Sequence, residues 1–175
     1  MTNARLWLTA MLALQLALAA GLMLTRQTAD DGGAPQPLLP VAASAVDRLV
    51  ISDGESQVTV VRQDGAWFLP GAGLPASAGK VNDILQRLEE TATEWPVTTT
   101  ASSQTRFEVA EERFQRRVQL FQGDEQVADL YLGTSPGFRK VHLRRAGEDA
   151  VYAVNLNTFD LPAVEDAWLD QSLLA

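Results

Sequence analysis

The stretch Val46–Leu69, VDRLVISDGESQVTVVRQDGAWFL, decides the architecture. Apolar and polar residues alternate through VDRLVIS, QVTVVR and AWFL, the period-two pattern of strands with one face in a core. The runs break at Asp53-Gly54 and Asp64-Gly65, and Asp-Gly is the dipeptide that accepts positive φ at a hairpin. Three strands in an antiparallel meander follow from this spacing.

Working downstream, GAGLPAS (71–77) is a loop, and Ser77 is placed to cap a helix running to about Thr91. Val81, Ile84, Leu85 and Leu88 fall at i, i+3, i+4 and i+7, one apolar stripe, so the helix should lie on one face of the sheet. Pro96 bars its continuation. Trp95–Thr100 reads as extended, and residues 101–116 are polar with a short helical turn. A second meander then repeats the first. Arg117–Phe121 and Val127–Leu132 join at Gly123-Asp124, and Lys140–Arg145 and Val151–Val154 join at Gly147-Glu148-Asp149. Asn157 is placed to cap a short helix over Phe159–Val164, with Pro162 in its first turn. Trp168, Leu169, Leu173 and Leu174 should cover an apolar surface. The class is α+β: two antiparallel meanders, each followed by a helix packed on the sheet. The order suggests a duplicated unit, without residue identity between the halves.

Working upstream, residues 27–45, QTADDGGAPQPLLPVAASA, have the composition of a linker. Before them, Leu6–Leu24 runs nineteen residues without a charge. At about 1.5 Å per residue this is just enough for about 30 Å of hydrocarbon. It is too long, and lacks the following small-x-small site, for a cleaved signal peptide. Residues 1–26 therefore read as an uncleaved N-terminal transmembrane anchor, 27–45 as a linker and 46–175 as the folded domain. The short leading tail puts the N-terminus in the cytoplasm and the domain outside, which in a bacterium is the periplasm.

The chain has no cysteine, which excludes disulfides and thiolate chemistry. Its 22 acidic against 14 basic residues give a net charge of −8, a balance that repels nucleic acid. Seven of the basic residues nevertheless gather between Arg113 and Arg145. Within LYLGTSPGFRKVHLRR (130–145), Arg139, Lys140, His142 and Arg144 are the candidate contacts for an anion or an acidic partner. The competing explanation is cross-strand pairing with Glu111, Glu112, Asp124, Glu125 and Asp129. Ser135-Pro136-Gly137 reads as the turn of a hairpin, because a phosphate cradle would feed a helix and this loop feeds a strand. By alternation Val141 and Leu143 face the core, while Lys140, His142 and Arg144 face solvent.

No catalytic residue, cofactor or metal site is expected. His142 is the single histidine and has no carboxylate beside it in sequence. Glu89, Glu90 and Glu94 read as a solvated helix end, Trp67 reads as a core anchor, and no G-x-S-x-G occurs.

The order V-D-R-L-V-I, then D-G-A-W-F-L, then L-Y-L-G-T, V-Y-A-V and the terminal W-L-D-Q-S-L-L resembles the bacterial domain of unknown function 4340, over about residues 46–175. The chain departs from it at Phe107-Glu108-Val109, where many members carry Tyr-Gly-Leu. The resemblance implies a membrane-anchored envelope protein, in some members an auxiliary component of ABC transport systems of the gliding-motility type, with no established catalytic residues. The expected role is that of a membrane-tethered accessory or assembly subunit with a protein partner in the inner membrane or periplasm. The alternatives are a periplasmic ligand-binding module, its pocket lined by Trp67, Trp95 or Phe138, and a carboxylate-based envelope hydrolase.

Overall fold

The computed structural model describes Gln15, residues 35–137 and residues 139–174. The chain divides into Met1–Ala34 and a body, Pro35–Ala175. The rest of the apolar run 6–24 lies outside the described residues, and among those described no helix is long and apolar enough to cross a membrane.

The body is an α+β fold dominated by antiparallel strands. The first meander is β2 (Arg48–Ser52), β3 (Gln57–Gln63) and β4 (Ala66–Leu69), extended by β5 (Leu74–Pro75). The second is β9 (Arg116–Gln122), β10 (Glu125–Leu132), β11 (Val141–Arg145) and β12 (Val151–Val154). They do not form two sheets. Their first strands pair antiparallel, Leu49 with Leu120 and Val50 with Gln119, so one eight-stranded sheet runs β12-β11-β10-β9-β2-β3-β4-β5. Order and register repeat about a two-fold axis in the β2–β9 pair. It brings Thr59 to Asp129, Val61 to Tyr131, Phe68 to Arg144 and Leu69 to Arg145.

On the inner face, Leu49, Ile51, Val58, Val60, Trp67, Leu69, Val118, Leu120, Leu130, Leu132 and Leu143 are buried. Helix α1 (Ala78–Glu90) covers part of this face with Val81, Ile84, Leu85 and Leu88, all buried as the stripe requires. Each such side chain contributes about 1.5–3 kcal/mol on leaving water. Asn82 Oδ1 accepts from Trp67 Nε1 at 3.1 Å and ties the helix to β4. Ser77 makes no side-chain cap; its carbonyl accepts the first helical bond, from Val81 N. Asp64 (φ 50°) and Gly65 (φ 82°) form the two-residue turn foreseen for them.

The structure departs from the sequence reading in three places. The body starts earlier than Val46. β1 (Gln36–Pro37) pairs with β6 (Ala92–Thr93), and Leu38 and Leu39 are buried in the main core, so residues 36–45 belong to the folded body although their composition is that of a linker. The second meander is followed by 3-10 turns, Thr158–Asp160 and Glu165–Trp168, with no α-helix. Pro162 falls between them and interrupts any longer helix. Asn157 does cap the first, through Phe159 N at 3.1 Å, and Trp168 is fully buried with Nε1 donating to Pro162 O. The sheet edges are not open either. Val151 of β12 exchanges bonds with Val97 and Thr98, and Ala76 beyond β5 bridges to Leu169.

Among the described residues, a segment folds over the outer face on the half formed by the second meander. There the chain from Val97 to Gln115 forms a flap: α2 (Ala101–Arg106) and the hairpin β7 (Val109–Ala110)–β8 (Arg113–Phe114). Val109, Tyr131 and Val151 make a second small core beneath it, with Phe107 and Phe114 against them. Gly133 allows the approach, because a Cβ there would lie 1.9 Å from Phe107 O and 2.4 Å from Glu108 O.

Candidate functional site

The loop that leads from β10 to β11 is tied by one hydroxyl. Ser135 Oγ lies 2.7 Å from the carbonyls of both Gly137 and Lys140. The tight turn is two residues later than Ser135-Pro136-Gly137 suggested. Lys140 N donates to Gly137 O at 3.2 Å, and Arg139 takes the left-handed conformation at φ 57°.

The four candidate residues are split between two environments. Arg139 and Lys140 are exposed at the end of the sheet. His142 and Arg144 are 5% and 4% exposed, which corrects their assignment to a solvent face. The alternation holds, but the face they share lies under the flap. His142 stacks on Phe107, ring centroids 4.1 Å apart, with Nδ1 3.0 Å from Thr134 Oγ1. Burial pushes the His142 pKa below that of a free imidazole, so the ring is held neutral. Arg144 Nε donates to Val109 O at 2.7 Å and Nη1 to Glu148 O at 3.1 Å, and its guanidinium lies over Tyr131. These two residues clamp the flap to the sheet.

The other basic residues find partners, mostly different acids from those expected. Arg117 grips Asp129 through two bonds, of 2.9 and 2.7 Å. Arg113 pairs with Glu108, whose carboxyl is held low first by Gln115 and then by Arg113. Arg116 faces Asp53 and Arg145 faces Glu148, each at 3.7 Å.

Two clefts meet at Lys140. One, about 670 Å³, is lined by Gln115, Ser135, Arg139, Lys140, Asn157 and Phe159 among others. The other, about 450 Å³, holds Arg87, Glu90, Glu94, Lys140 and Asn155. Phe159 is 88% exposed, and Trp95, next to Glu94, is 71% exposed. Neither aromatic was singled out as exposed from sequence, because an isolated aromatic in a loop carries no periodic signal. Trp67 is buried, as its place after Asp64-Gly65 implied, and Phe138 lies outside the described residues. Trp67 lines a cleft of about 810 Å³ with Arg62, Asn82 and Glu89 among others. Among the described residues no group of histidine, aspartate and glutamate is arranged to hold a metal.

This arrangement, from the Trp67 hairpin to the buried Trp168, falls within a family match. The family model described as domain of unknown function (DUF4340) matches residues 67–175, more than half of the chain. The chain belongs to that family. The match begins inside β4, so the DUF4340 segment holds α1, the flap and the second meander, while β2 and β3 precede it. No curated protein and no solved structure matches the chain.

Proposed function

We propose that this DUF4340 protein is a membrane-tethered binding and assembly subunit of the bacterial envelope. Residues 1–26 anchor it in the inner membrane, the body stands in the periplasm, and a protein complex, of which an ABC transporter is the leading example, is its partner. The observation that carries the reading is the end of the sheet around Lys140. Phe159 stands in water on the wall of one cleft with Arg139 and Lys140, and the exposed Trp95 follows Glu94, which lines the other cleft with Glu90 and Lys140. Exposed aromatics rimmed by charge are the usual anchors of a protein interface. Tethering to one membrane raises the effective concentration near a partner in that membrane, so such a surface works at modest intrinsic affinity.

The test is photo-crosslinking in intact cells from a probe amino acid at residue 95 or 159, against a probe at Gln57 as control. Discrete adducts with an inner-membrane or periplasmic protein from 95 and 159 alone support the reading. Equal, diffuse labelling from all three positions contradicts it.

Carboxylate-based hydrolysis draws on one observation, that Glu90 and Glu94 line the same cleft. Both are exposed, and Glu90 already accepts from Gln86 at 2.8 Å. Glu94→Gln separates the two readings: it leaves a crosslink at 159 intact and abolishes a hydrolytic phenotype.

A further inference from the structure

Arg145 Nη1 is the one buried side-chain nitrogen or oxygen among the described residues that lacks a hydrogen-bond partner. Such an atom costs about 1–3 kcal/mol, more when it carries charge, so it calls for a reason. The fold supplies only part of one: the guanidinium lies over the Tyr152 ring and faces Glu148 at ion-pair distance, without a hydrogen bond to Nη1. The two-fold that relates the meanders puts Leu69 at the equivalent register, fully buried, so an apolar residue satisfies this position in the other half.

The surroundings of the guanidinium suggest the reason. Arg145 opens on a groove of about 660 Å³ whose walls include Pro37, Leu38, Pro40, Val127 and Ala128. Val127 sits where the β9–β10 register shifts, and the bulge shapes that wall. One end of the guanidinium is fixed, because Nη2 donates to Pro37 O at 2.9 Å. Toward the other end stands Glu148, with Oε2 3.7 Å from Nη1, too far for a hydrogen bond. The Glu148 side chain is 43% exposed and free to swing into water, whereas that of Arg145 is 16% exposed. A carboxylate thus already stands near the position that would satisfy Nη1, and it belongs to a half-exposed surface residue.

We propose that this groove binds a small monocarboxylate with an apolar body. Its carboxylate takes the place of Glu148 on Arg145, and its body lies against Pro37, Leu38 and Val127. The planar guanidinium matches a carboxylate through paired N–H donors. The volume is that of a small-ligand site; Gln36, Gln126 and Asp129 also line it, and the Asp129 carboxylate is already held by Arg117. The site is separate from the Lys140 end and does not depend on the role proposed for it.

The test is calorimetry on the full chain in lipid nanodiscs, with empty nanodiscs as blank. The probe is 4-phenylbutyrate, and its neutral amide is the control. The proposal expects saturable binding of the acid at least about tenfold tighter than the amide. Glu148→Gln removes the competitor and tightens the acid by about threefold, and Arg145→Gln weakens it by at least about tenfold. No saturable binding of the acid, equal binding of the amide, or weaker binding in Glu148→Gln overturns the proposal. Should Arg145→Gln fail to fold, the acid–amide ratio and Glu148→Gln still decide it.

Discussion

The outer faces of the two meanders differ in a direction that residue polarity alone would reverse. In the first meander this face carries Val50, Thr59, Val61 and Phe68, all half-buried, and among the described residues no helix or strand is folded over them. In the second, the two-fold-related positions carry Gln119, Asp129, Tyr131 and Arg144, and this more polar face is the one the flap covers. The difference teaches that directed bonds join a small apolar core in holding the cover. Arg144 reaches a flap carbonyl, Arg117 closes on Asp129, and His142 offers a flat ring to Phe107. Inside a covered site such charge-assisted bonds are worth more than at the surface, provided each group is satisfied.

Gly133→Ala should break the contrast most severely. The added methyl meets two flap carbonyls, so the flap cannot seat, and chemical denaturation should show a loss of about 4 kcal/mol. Gly65→Ala, in the first meander with nothing near its Cβ, meets only backbone strain and costs about 1 kcal/mol. Next comes Arg144→Met. It strands the carbonyls of Val109 and Glu148 and should cost about 3 kcal/mol, against under about 1 kcal/mol for Phe68→Met at the related register.

A smaller effect is tied to pH. The folded-state pKa of His142 is depressed by burial, so the unfolded chain takes up a proton first as pH falls. The stability of the neutral ring is fully present above the free value of 6.5 and is lost below it. Hydrogen exchange at the Val109 and Tyr131 amides should therefore quicken between pH 7 and about 5. His142→Gln should flatten that dependence and leave the first meander unchanged. The smallest effect is expected for Val61→Thr on the uncovered face, within about 0.5 kcal/mol in the same denaturation assay.

Strand and helix positions were legible because each carries its own period, two in VDRLVIS and 3.6 from Val81 to Leu88. What covers a face was not legible. Alternation sorted His142 and Arg144 from Val141 and Leu143 correctly, yet it cannot say whether the second face meets water. The flap spells its contacts in scattered residues, Phe107, Val109 and Phe114, with no period to detect. Residues 36–45 were hidden by composition, because prolines and alanines masked the Leu38-Leu39 pair that enters the core. At the candidate site, sequence placed Arg139 and Lys140 in a turn, but Glu94 and Phe159 join them only through the fold. Arg145 was counted among the basic residues without being distinguished, since an unpaired nitrogen is a property of packing.

Carbene footprinting of the full chain in lipid nanodiscs tests the uneven cover most directly. Phe68 and Val61 should take up label readily, while Tyr131 and Val109 stay near background. Labelling of Tyr131 as heavy as that of Phe68 would mean that the flap does not lie on the second meander, and the account of both faces would fail.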